Sequence, residues 1–94
     1  MTGNEVDIAL GALIRDCRLH AGLSQQDLGR AAGVSFQQVQ KYESGQNRIS
    51  VSRLLRLART LDLPAVEIIR QFEDRLRARP EGRGARPRRQ RAAL

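Results

Sequence analysis

The chain has 94 residues and a formal net charge of +7, from 17 Lys and Arg against 10 Asp and Glu; that length suits one small domain and leaves little room for a second. Apolar residues make up 40% of it, but two Phe, one Tyr and no Trp supply little aromatic bulk, so a core must come from Leu, Ile, Val and Ala, which favours packed helices over a β-sandwich. A single Cys and a single His rule out an internal disulfide and argue against structural zinc, and the longest apolar run, residues 8–14, is far below the ~20 residues of a membrane span.

Punctuation divides residues 1–79 into five short helical blocks. Thr2 and Glu5 have capping-box spacing, after which Leu10, Ile14 and Cys17 recur at helical intervals until Gly22 provides a stop. Cys17 reads as a small core residue on that stripe. Ser24 and Asp27 repeat the cap signal and open a second helix over about residues 25–32, with Gly33 placed where a tight turn needs a positive φ. Ser35 and Gln38 open a third over about residues 36–44, through Val39 and Tyr42, which Gly45 can end. Ser50 caps a fourth, with Leu54, Leu55, Ala58 and Leu61 as its inner stripe, and Pro64 fits the first turn of a fifth. Links of about three to five residues are expected between them. In the fifth helix Val66, Ile69 and Phe72 or Leu76 are expected to face the bundle, while Ile68, Phe72 and Leu76 form a second apolar stripe for another subunit.

The pattern stops at Pro80. Residues 80–94 carry five basic groups and one acid, against twelve and nine in residues 1–79, so more than half the excess charge sits in a Pro- and Gly-broken segment expected to be a disordered Arg-rich tail. The N-terminus lacks the basic-then-apolar order of a signal peptide. The expected chain is soluble and cytoplasmic, without membrane attachment.

Helices two and three, hinged at Gly33, have the pattern of a helix-turn-helix: a short helix, a sharp corner and a second helix that projects one face outward. On a wheel at 100° per residue, Phe36, Tyr42 and Glu43 lie within about 60° of Val39 and point inward. Gln37, Gln40, Lys41 and Ser44 point outward, and none of these is acidic. A glutamine amide matches the N6/N7 edge of adenine in the major groove, and lysine suits guanine O6/N7 or phosphate. Glu43, near the inner face, requires a partner if it is buried. Arg53, Arg56 and Arg59 follow one another along helix four, as a solvated face or a secondary phosphate track. Nothing groups a nucleophile with a base, since Ser24, Ser35 and Ser50 are accounted for as caps; no catalysis, cofactor, metal or small-molecule substrate is expected.

The stretch Gly22-Leu-Ser-Gln-Gln-Asp-Leu-Gly-Arg-Ala-Ala-Gly-Val-Ser, followed by Val39-Gln-Lys-Tyr-Glu-Ser-Gly, resembles the Cro/C1-type helix-turn-helix family of phage repressors and small bacterial regulators. The resemblance covers about residues 8–72 and implies an all-α, five-helix bundle of the lambda-repressor-like type. It further implies that Gln25 hydrogen-bonds phosphate and braces the recognition helix. Phe36 and Gln37 match positions that enter the groove, joined by Gln40 and Lys41. Phe36 either contacts a thymine methyl or packs under Gln40. Ser44, Asn47 and Arg48 match phosphate-gripping positions, and Arg18 and Glu43 match an ion pair tying helix one to helix three. The implied partner is double-stranded DNA, bound by a homodimer on half-sites about one turn, ~34 Å, apart, and the second apolar stripe of helix five is the expected dimer interface.

The resulting expectation is a sequence-specific transcriptional regulator, more simply a repressor. Two other uses of the same domain stay open at this point: an antitoxin whose C-terminal segment binds a toxin, and a bridging protein that contacts transcription machinery without reading DNA. The Arg-rich tail can add affinity for any duplex, with no sequence information.

Overall fold

A computed structural model of the chain describes residues 3–78. These form five helices, α1 (Gly3–His20), α2 (Gln25–Ala32), α3 (Phe36–Glu43), α4 (Val51–Thr60) and α5 (Ala65–Arg77), with no strand among the described residues. The all-α, five-helix reading is thus correct. The Thr2 cap and the tail at residues 80–94 lie outside the described residues.

Local chemistry starts three of the helices. The Ser24 hydroxyl accepts the Asp27 N–H at 2.9 Å and the Asp27 carboxylate accepts the Ser24 N–H at 3.0 Å, closing a reciprocal box. The Ser24 backbone N–H, and then its hydroxyl, hold the Asp27 carboxyl below its usual range. Ser35 caps α3 through the Gln38 N–H at 3.1 Å, without the return bond, and Ser50 caps α4 through the Arg53 N–H at 3.1 Å. Gly33, at φ 73°, turns the chain between α2 and α3 in the left-handed region. Pro64 precedes α5 as its N-cap, one step before the first turn expected for it.

Leu13, Ile14, Leu28, Ala32, Val39, Leu54, Leu57, Ala58, Leu61 and Ile68 form the core, flanked by Leu10, Cys17, Leu23, Val34, Ile49, Leu63, Ala65 and Phe72. Every helix contributes to it. Helices α2 and α3 have eight residues each, too short to persist alone, and gain their stability from this packing. α2 packs on α3 and α4, α1 on α3 and α5, and α4 on α5.

Three expectations require correction. Leu55 is half exposed rather than buried, and Leu57 takes its place. Leu54, Leu57, Ala58 and Leu61 follow the i, i+3, i+4, i+7 spacing of one helix face, from which Leu55 is rotated outward. On α5 the two stripes are exchanged: Ile68 is fully buried, whereas Val66 and Ile69 face outward. Both stripes are apolar, and the side on which α1 and α4 pack decides between them. The third concerns length, because the α3–α4 link runs over residues 44–50 and exceeds the three to five expected.

The approach of α1 to α3 depends on Gly11. A Cβ there would overlap the Tyr42 carbonyl oxygen and lie 2.9 Å from the Glu43 carbonyl oxygen. Both are backbone atoms and cannot swing away. Gly11→Ala is therefore expected to lower stability by about 1–3 kcal/mol, measured as a reduced midpoint of urea unfolding; an unchanged midpoint would show that the two helices separate freely.

Candidate nucleic-acid interface

The end of α3 is held by a buried ion pair. Arg18 of α1 donates from Nε to Glu43 Oε2 at 2.7 Å and from Nη2 to Oε1 at 3.1 Å, and the two side chains are 8% and 3% exposed. Arg18 Nη1 donates to the Leu23 carbonyl at 2.8 Å, and Gln25 Nε2 donates to Glu43 Oε1 at 3.0 Å. One carboxylate thereby joins α1, the first residue of α2 and the last residue of α3. A side-on Arg–carboxylate pair of this kind is charge-assisted and fixes orientation as well as distance. A glutamine amide nitrogen carries two hydrogens, so Gln25 can serve a second acceptor as well.

With Glu43 turned inward, the outer side of α3 carries no acid. Gln37, Gln40, Lys41 and Ser44 are all exposed, while Val39 and Tyr42 are buried. Phe36 is half-buried at the first residue of α3. Beyond α3 the chain folds back over the helix end: the Asn47 N–H donates to the Lys41 carbonyl at 3.1 Å, the Ser44 hydroxyl donates to the same carbonyl at 3.2 Å, and the Gln46 N–H donates to the Ser44 hydroxyl at 3.3 Å. The single Ser44 hydroxyl proton is thus engaged within the turn. Arg48 lies at the end of this turn with its side chain in solvent and its Nε on Asp7 Oδ2 at 3.3 Å.

The residues singled out on α3 and the following turn run from the start of α3 to Arg48, and Gln25, the first residue of α2, is tied to the end of α3 through Glu43. Two features were not read from the sequence. Asp7 had no local signal, because its partner is 41 residues away. Arg53 differs from the solvated face expected for the α4 arginines: it is half-buried, with Nη1 enclosed and without a hydrogen-bond partner among the described residues, whereas Arg56 and Arg59 are exposed. Cys17 packs half-buried against the core, and burial pushes its thiol above the ordinary range, which disfavours the reactive thiolate.

The Helix-turn-helix family model matches residues 14–68, which contain α2, α3 and both members of the buried pair. The chain belongs to the Cro/C1-type helix-turn-helix family. It is 46% identical over 87 residues to a transcriptional regulator in the ATPase CF(0) region of Rhodospirillum rubrum, covering 93% of this chain and 78% of that protein. It is likewise 46% identical over 61 residues to an HTH-type transcriptional regulator of Sinorhizobium medicae, covering 65% of this chain and 44% of the relative. The chain thus spans under half the length of that relative. Among solved structures, the restriction-modification controller protein C.AhdI of Aeromonas hydrophila superposes with a TM-score of 0.63 at 33% identity, over 65% of this chain and 92% of its own. The clp gene regulator ClgR of Corynebacterium glutamicum shares the fold, with a TM-score of 0.73 at 22% identity, over 79% and 96% of the two chains. No helix among the described residues is long and apolar enough to cross a membrane.

The buried pair of this helix-turn-helix protein sets a stability prediction. Glu43→Ala leaves the Arg18 guanidinium buried opposite an empty space, and a loss of about 3–5 kcal/mol is expected on urea unfolding. Replacing both partners by apolar residues, as in Arg18→Met with Glu43→Leu, is expected to recover most of that loss. A single variant as stable as the double would show that the pair is solvated in solution.

Proposed function

We propose that this chain is a DNA-binding transcriptional regulator that acts as a homodimer in the bacterial cytoplasm, inserting α3 into the major groove at each of two half-sites. The observation that carries this reading is the acid-free outer face of α3, with Gln37, Gln40 and Lys41 exposed while Glu43 is buried against Arg18. A solvated helix face needs no such segregation, but a face that approaches phosphates does. The transcriptional-regulator names of the relatives support the same class.

Within this reading Gln37 pairs with a base edge near the groove-entering end of α3, and Gln40 and Lys41 extend the contact by one turn. Phe36 offers an apolar edge to a thymine methyl. Gln25 and the turn residues Ser44, Asn47 and Arg48 face the DNA backbone, and of the turn residues Arg48 is the strongest ligand because its charge is in solvent. Ser44 must give up its bond to the Lys41 carbonyl to donate to a phosphate. Repression is the simpler outcome, since occupancy of the operator is enough.

The exposed apolar residues support self-association through α5. Val66 is 74% and Ile69 39% exposed on α5, and Val51 and Leu55 are exposed on α4, which packs beside it. The proposed dimer face is therefore the Val66–Ile69 side of α5, with Ile68 committed to the core.

Selection of bound fragments from a random DNA pool tests the whole reading, with two related half-sites about one helical turn apart as the expected result. Gln37→Ala is expected to reduce discrimination between the selected operator and random duplex by about 1–3 kcal/mol. Arg48→Ala is expected to weaken both DNAs alike and to make the dependence of affinity on salt shallower. Equal weakening of both DNAs by Gln37→Ala would remove its base-reading role. Ile69→Glu is expected to shift sedimentation toward the monomer while the helical content of the fold is retained; an unchanged dimer would place the interface elsewhere.

A further inference from the structure

We propose that Asp7 is a positioning residue for Arg48, holding the guanidinium by its Nε edge so that the two Nη groups are presented to a backbone phosphate. The proposal rests on the reading of Arg48 as a phosphate ligand. It concerns a residue of α1 that lies 41 positions away in the chain and outside the helix-turn-helix.

The two partners differ in environment. Asp7 is 16% exposed in its side chain and Arg48 is 77% exposed. The carboxylate is thus largely enclosed, while the arginine it meets projects into solvent. Only Nε is engaged, at 3.3 Å from Asp7 Oδ2, and the Nη groups have no hydrogen-bond partner among the described residues. The guanidinium also lies along one face of α1. Gly3 precedes Asp7 by four residues, and a Cβ at Gly3 would sit 3.4 Å from Arg48 Nη2. Asp7 occupies the second turn of α1.

This arrangement separates the two edges of one guanidinium. A phosphate that takes the Nη groups need not displace the carboxylate from Nε, because arginine offers five donors in a fixed planar fork. A free surface arginine loses rotamer freedom when it grips a ligand, and one already held by Nε loses less. Against this stands repulsion between the Asp7 carboxylate and the phosphate. Asp7→Ala removes both the tether and the charge. Asp7→Asn removes the charge and keeps an oxygen acceptor for Nε, so the pair of variants separates the two effects.

The experiment measures binding of a random-sequence DNA duplex, long enough for two half-sites, by the wild-type chain, Asp7→Ala, Asp7→Asn, Arg48→Ala and the Asp7→Ala/Arg48→Ala double variant, with thermal unfolding recorded for each. Asp7→Ala is expected to weaken binding by about two- to tenfold, the range set by ordering one long side chain. Asp7→Asn is expected to restore most of that loss, and Asp7→Ala is expected to cost nothing further in the Arg48→Ala background. A purely structural role would carry the same loss into that background and would overturn the proposal. Unchanged or tighter binding by Asp7→Ala would also overturn it, as would an Asp7→Asn variant as weak as Asp7→Ala. Failure of the underlying reading has a separate signature, an Arg48→Ala variant that binds duplex as the wild type does, and that result removes the proposal with it.

Discussion

The position of α3 depends on one carboxylate. Glu43 closes the third helix and accepts from Arg18 Nε and Nη2 and from Gln25 Nε2, while Arg18 uses its remaining edge on the Leu23 carbonyl. Bringing these charges out of water is costly, and only a complete set of partners offsets that cost. The network therefore ties α1, the start of α2 and the end of α3 to one another. Since α2 and α3 are each too short to be stable alone, this arrangement also decides where the exposed side of α3 points.

The same pair shapes the electrostatics. Glu43 is the one acid of α3, and its burial against Arg18 leaves an outer face of amides and one lysine. The net charge of the whole chain explains attraction to a polyanion but carries no sequence information. Specific reading needs hydrogen-bonding groups held in a fixed position, and the buried network fixes the end of the helix that the proposed function assigns to that role. The close backbone approach at Gly11 works with it, bringing α1 against Tyr42 and Glu43 and so placing the first turns of α1 next to the turn that carries Arg48.

Much of the fold was legible because its signals are local. The Ser24, Ser35 and Ser50 caps each reach only three residues along the chain, and the Gly33 turn is a property of one residue's backbone. The outward set Gln37, Gln40, Lys41 and Ser44 followed from helical periodicity anchored on Val39. Faces with two apolar stripes were not legible. Leu54, Leu55 and Leu57 offer overlapping stripes on α4, and Ile68 and Ile69 offer competing ones on α5. Periodicity identifies candidate stripes but not the side on which a neighbouring helix lies.

The sequence by itself determined where α2, α3 and α4 begin, where the chain turns between α2 and α3 and which side chains of α3 share a face, since each depends on atoms within one helical turn. Only the tertiary structure decided that Ile68 enters the core while Val66 and Ile69 face outward. It also decided that Glu43 is the group through which Gln25 braces α3, that the Ser44 hydroxyl is engaged in its own turn, and that Asp7 meets Arg48. For Gln25 and Asp7 the partners lie 18 and 41 residues apart. Their meeting depends on the angle and spacing at which α1, α2 and α3 pack, which the buried ion pair and the Gly11 contact set together.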